Sequence, residues 1–197
     1  MKNAIKKTKK GILMVALLAT VTGFAKDTNA LIKSDAKKTS LILKNVKQGN
    51  VLTLKDAYGI VLFKESIEDN GVYKKGFDLT KLPDGDYVFE LEKDLEIKTI
   101  PFSVDLNNVS FDTEDEVTYF KPYIKEEEDL VFFTKLNLNR DKITVDIYSN
   151  IKGDYKLLHT ETFDNVKVIE KVFKLEKGSY KIVTNSNNKE YTTLINN

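Results

Sequence analysis

The chain has 197 residues, with 31 Lys and Arg against 30 Asp and Glu, a single His and no Cys. This inventory excludes disulfide staples, thiol chemistry and cysteine zinc clusters, and one His excludes the usual His-rich catalytic metal site.

The N-terminus reads as a secretory signal peptide over 1–25. Lys2, Lys6, Lys7, Lys9 and Lys10 precede an uncharged run, "GILMVALLATVTGFA", from Gly11 to Ala25. Its apolar part is short of the ~20 residues of a spanning helix, and Gly23 and Ala25 put small residues before a cut between Ala25 and Lys26. No stable membrane span is then expected after cleavage. Removing the five leader lysines leaves 26 basic groups against 30 acidic ones, a net charge of −4. A mildly acidic chain lacks the basic patch that phosphate backbones require, so nucleic acid is excluded as a partner.

Residues 26–38, rich in Lys, Asp, Asn and Ser, read as a flexible mature N-terminus. From residue 39 onward no long stretch repeats apolar residues at three and four, whereas period-two runs are frequent. Ile143, Val145 and Ile147 alternate with polar residues, and Val166, Val168 and Val172 share a parity. Turn signals interrupt at short intervals: "KQGN" at 47–50, "DAYG" at 56–59, "EDNG" at 68–71, "PDG" at 83–85, "NIKG" at 150–153 and "SNN" at 186–188. Many short strands with frequent turns predict an all-β sandwich.

The chain also repeats. Leu82-x-x-Gly85-x-Tyr87 recurs as Leu175-x-x-Gly178-x-Tyr180, and with these superposed, "VLTLKDAYGIVLFKESI" from Val51 lies against "ITVDIYSNIKGDYKLLHTETF" from Ile143. Phe77-Asp-Leu79 likewise resembles Phe173-Lys-Leu175, although its spacing to Gly is longer. Leu plugs a core, Gly makes a turn and Tyr enters the next strand with its hydroxyl near a turn carbonyl, as in the tyrosine corners of immunoglobulin-like sandwiches. The expectation is two tandem immunoglobulin- or fibronectin-like sandwiches of about seven strands each, at 39–110 and 117–197. The polar stretch "DLNNVSFDTEDE" divides them, and a strand near 119–124 is expected at the junction, with Pro122 on a sheet edge.

Candidates for chemistry are few. His159 lies on a strand in phase with Tyr155 and Leu157 and has no evident catalytic partner. The acidic stretches Asp112–Glu116 and Glu126–Asp129 lack the Gly of a calcium loop, and the second reads as a hairpin tip between "YFKPYI" and "LVFFTKL". No phosphate-cradling loop or nucleophile elbow is present. The expectation is a protein that is not an enzyme, without cofactor or metal. Nine Tyr and eleven Phe without Trp leave Tyr58, Tyr73, Tyr123, Tyr148 and Tyr191 as sugar-stacking candidates.

"LKDAYGIVLFKESI", "KGFDLTKLPDGDYVFELEKD" and "IKTIPFSV" resemble small exported proteins of flavobacteria and their relatives, whose domains are similar to the C-terminal sorting domain of type IX secretion. Asp56-Ala-Tyr-Gly59 matches the first turn of that domain and Asp78-Leu-Thr-Lys-Leu82-Pro-Asp-Gly85-Asp-Tyr87 matches the second. The resemblance covers about residues 40–104 well and 130–197 loosely. It implies a sandwich fold and export, to the periplasm, the outer-membrane surface or the medium. The leading expectation is a non-catalytic interaction or structural module of the envelope or secretome with a protein partner. A sorting or attachment domain and a carbohydrate-binding module are the alternatives.

Overall fold

A computed structural model describes residues 14–15, 30–35, 38–112 and 114–196. The expected cleavage site at Ala25 and Lys26 lies outside them. Among the described residues the protein is all-β apart from one turn of 3-10 helix, Leu79–Lys81, and it divides into two compact units, one ending at Phe120 and the other running on from Lys121.

In the first unit, β2 (Ala30–Asp35), β3 (Lys38–Val46) and β6 (Gly71–Phe77) form an antiparallel sheet in the order β2-β3-β6. A second sheet has the order β8-β7-β4-β5, built from β4 (Val51–Asp56), β5 (Val61–Ser66), β7 (Gly85–Glu92) and β8 (Glu96–Asp105). Two short strands, β9 (Asn108–Phe111) and β10 (Val117–Phe120), both add to β8. Alternate residues of the two sheets meet in one core, with Leu41 and Leu43 from β3, Leu52 and Leu54 from β4, and Phe89 and Leu91 from β7. This is the period-two burial that makes a sandwich.

The second unit repeats that strand order. Its sheets run β11-β12-β15 and β17-β16-β13-β14, from β11 (Tyr123–Glu127), β12 (Leu130–Leu136), β13 (Ile143–Ile151), β14 (Asp154–Phe163), β15 (Val168–Lys174), β16 (Ser179–Ser186) and β17 (Lys189–Asn196). A strand from far upstream, β1 (Met14–Val15), lies on the outer edge of β15. The core holds Val131, Phe133, Ile143, Ile147, Phe173 and Ile182, among others.

Two boundaries and one strand facing differ from the sequence-based ones. Ala30–Asp35 is a strand paired to β3, with Ala30 buried, so the stretch expected to be flexible opens the first sandwich. Its apolar Ala-Leu-Ile is masked in the sequence by flanking Lys, Asp and Asn. Val117–Phe120 pairs with β8 and belongs to the first unit rather than the second. On β15 the core takes Ile169 and Phe173, the parity opposite to Val168 and Val172.

Both copies of the repeated motif close the same way. The Tyr87 hydroxyl donates to the Pro83 carbonyl at 2.7 Å, and the Tyr180 hydroxyl donates to the Glu176 carbonyl at 2.8 Å. Each ring covers its glycine, since a side chain on Gly85 or Gly178 would meet the Tyr ring at 3.9 or 3.6 Å. Leu175 is buried in its core and Leu82 packs against the edge of its own. The extra residues after Phe77 form the 3-10 turn, which buries Leu79.

The β4–β5 turn is held by Asp56, whose Oδ1 accepts from the amides of Tyr58 and Ile60 at 2.9 and 2.8 Å. Gly59 sits there at φ 82°, where a side chain would be strained. The equivalent β13–β14 turn uses Asn150, which accepts from the Gly153 amide at 2.9 Å.

Candidate functional site

The most distinctive chemistry lies at one lateral edge of each sandwich, where the end strand of one sheet faces a strand of the other, which in the second unit also carries β1 on its outer side. In the first unit these strands are β5 and β6, and in the second β14 and β15. A β-bulge shapes both edges at the same place. Leu54 opposes Phe63 while Lys55 opposes Val61, leaving Leu62 as an extra residue. Ile147 opposes His159 while Tyr148 opposes Leu157, leaving Leu158 extra. One inserted residue reverses the facing of every later residue on the strand. His159 is therefore out of phase with Tyr155 and Leu157, contrary to the sequence expectation, and turns towards the sandwich together with Glu161.

In the first unit the edge is closed by a satisfied cluster. Lys75 on β6 forms an ion pair with Glu65 on β5, and the Tyr73 hydroxyl donates to the same Glu65 oxygen at 2.9 Å. The hydrogen bond from Lys75, and a smaller one from Tyr73, hold the Glu65 carboxyl below its ordinary range against the opposing effect of burial. Burial, and then the Glu65 carboxylate, push the Tyr73 phenol upward. Phe63 and Phe77 meet edge to face with centroids 5.3 Å apart, and the Lys75 ammonium lies 4.7 Å from the Phe63 ring centre. A small cavity of about 210 Å³ lies beside Glu65, Val72 and Tyr73.

The second unit keeps the frame and changes two of its parts. Lys171 on β15 pairs with Glu161 on β14 at 2.8 Å, as Lys75 does with Glu65. Where the first unit has Phe63, the second has His159, its ring 6.0 Å from Phe173. Where the first has Tyr73, the second has Ile169, which has no hydroxyl to donate. His159 Nε2 and Glu161 Oε2 stand 3.9 Å apart, both shielded from solvent and without a hydrogen-bond partner among the described residues.

Superposing the two halves of the sequence matches Phe63-x-Glu65 to His159-x-Glu161. The matching lysines on the following strand were the signal that could have drawn the cluster together. On the second unit's edge, β1 pairs antiparallel with β15, Met14 opposite Phe173 and Val15 opposite Val172.

The other sequence candidates are dispersed. Asp112 Oδ1 accepts from the Glu114 and Asp115 amides, and Glu116 forms a nearly buried ion pair with Lys98 at 2.7 Å. Glu128 and Asp129 make the β11–β12 hairpin tip, where Asp129 pairs with Lys174 at 2.9 Å, which lowers the carboxyl and raises the ammonium. Among the described residues no cluster of three or more His, Asp or Glu is placed to hold a metal ion. Tyr58 and Tyr123 are exposed on different units, Tyr73 is engaged with Glu65, and Tyr148 lies with Tyr155 around the Lys181 ammonium. Tyr191 lies near the Lys135 ammonium. Lys135 is buried at the end of the second core, and that burial, partly offset by Asp141, lowers its pKa to about 8. Nearby, an open polar groove of about 530 Å³ is bounded by Asp141, Lys142 and the β16–β17 turn.

No family model matches the chain, and no curated protein matches it. Three solved structures are similar to it at low TM-score. A biofilm-associated protein BSP domain is 12% identical with a TM-score of 0.26, covering 85% of this chain and 29% of that one. The CupB2 chaperone of Pseudomonas aeruginosa is 12% identical with a TM-score of 0.23, covering 82% and 93%. The structure describing neurohormone perception by the receptor tyrosine kinase Torso is 10% identical with a TM-score of 0.24, covering 87% and 74%. The chain thus spans under a third of the BSP-domain structure.

Proposed function

We propose that this chain is an exported, non-catalytic β-sandwich protein that acts as a protein-interaction module of the cell envelope or secretome. The observation that carries the reading is the exposed apolar character of the same edge strand in both units. Val61 and Leu62 on β5 are 50% and 46% exposed, and Leu157 and Leu158 on β14 are 58% and 42% exposed. An edge strand offers unpaired backbone donors and acceptors, and apolar side chains along it favour a protein surface over water. Strand addition and edge packing use these features without a deep pocket. A second reading, a sorting or attachment domain of type IX secretion, rests on the match at Asp56–Gly59 and Asp78–Tyr87.

The test is the intact mass of the native protein in periplasm, outer surface and medium, combined with cross-linking in living cells. The expected result is the mass of residues 26–197 and cross-links to a protein partner. A shortened or conjugated species at the surface would favour the sorting reading. Retention of residues 1–25 would overturn export, and a mature chain that cross-links to nothing would overturn the interaction reading.

A further inference from the structure

We propose that the outer edge of β15 is a docking site for one extended, apolar, uncharged strand of a protein partner, and that in the precursor the leader's own Met14–Val15 occupies it. The inference rests on the exported interaction module proposed above and specifies its surface. The run from Gly11 to Ala25 carries no charge, and it supplies the two residues that pair with Phe173 and Val172. Those two partners are buried, at 0% and 5% exposure. Cutting after Ala25 removes this strand, leaving backbone groups on β15 that need another partner or water.

The equivalent edge of the first unit lacks these features. At the register position of Val172, β6 has Gly76, and glycine disfavours strand pairing. There the edge is also closed from within by Phe63 on Phe77 and by Tyr73 on Glu65. On the second unit the ring contact is longer, and two polar atoms beside it have no hydrogen-bond partner among the described residues. The apolar Val172, the looser closure and the bound strand all fall on the same edge. An incoming strand would read it by main-chain hydrogen bonds, with apolar side chains at alternate positions.

The absence of cysteine allows a register-specific test. A synthetic peptide of residues 11–22 carrying Val15→Cys is mixed, under mild oxidation, with the chain beginning at Lys26 and carrying Val172→Cys. The same chain carrying Gly76→Cys reports the equivalent position on β6. The expected result is a disulfide adduct at Val172→Cys about tenfold above that at Gly76→Cys, suppressed by excess unmodified peptide and by Met14→Pro in the peptide. Should Val172→Cys disturb the edge, hydrogen exchange in the chain with unaltered β15 supplies the second reading, with peptide expected to slow exchange at residues 170–174 and not at 72–77. Equal adducts at both edges, or no change in exchange, would overturn the inference. If the peptide fails while cross-links to a partner persist in cells, docking at β15 falls alone. If both fail, the interaction module falls with it.

Discussion

Replacing Tyr87 or Tyr180 by Phe deletes one hydroxyl and leaves the ring. Both side chains are almost fully buried, and the Tyr87 ring stacks on Phe102 with centroids 5.4 Å apart, a contact that Phe retains. What is lost is the hydrogen bond to Pro83 or Glu176, at 2.7 and 2.8 Å, in each case leaving a carbonyl in a partly buried corner. A neutral hydrogen bond of this kind contributes about 0.5–1.5 kcal/mol net, and because Pro83 and Glu176 are themselves exposed, water can replace the lost donor and the cost falls towards the lower end. For a unit of this size, 1 kcal/mol shifts the midpoint by roughly 4–8 °C. Scanning calorimetry of Tyr87→Phe, Tyr180→Phe and the double variant should lower the transition of the unit that carries each change. The two effects should add to within about 0.5 kcal/mol, because the tyrosines belong to separate cores. A neutral outcome in both single variants would refute the view that the motif recurs to tie each corner.

Lys135 occupies the place on β12 that Leu43 has on β3, since one opposes Ile169 and the other Tyr73 in matching ladders. Its ammonium titrates near 8 in the folded chain against an ordinary 10.5, so the unfolded state binds more protons between those values and stability from this group rises with pH across that window. Lys135→Met should stabilise the chain at pH 7 by about 1–3 kcal/mol, allowing for residual solvent screening, with the advantage shrinking from pH 8 to 10.5 in urea titrations. A pH-independent gap would contradict the burial argument. His159→Phe restores the ring pair of the first unit and should raise the second unit's thermal midpoint, by about 0.5–1.5 kcal/mol equivalent. A lowered midpoint would show that the imidazole stabilises the edge through contacts other than its ring.

Much of the fold was legible because its determinants are local. The alternation at Ile143, Val145 and Ile147, the Asp56–Gly59 turn and the Gly-x-Tyr corners act within a few residues and leave their pattern in the chain. The strand at Ala30–Asp35 was not legible, because a short apolar alternation flanked by charge looks like a solvated tail until β3 lies beside it. His159 was misplaced by a single residue: the bulge at Leu158 inverts the facing, and no composition signal marks it. The Glu161–Lys171 pair joins strands of opposite sheets, so it depends on a sandwich being closed before its members can meet.

Duplication gives the chain latitude that a lone domain lacks. A single small β-domain commonly retains only a few kcal/mol of stability, so losing the tyrosine hydroxyl and an aromatic pair from one edge brings it close to unfolding. Here the first unit keeps Phe63, Tyr73 and their closed edge, with a core of its own. The second carries His159, Ile169 and the buried Lys135 around a separate core. Two copies of one architecture thus differ in how fully the same edge is closed.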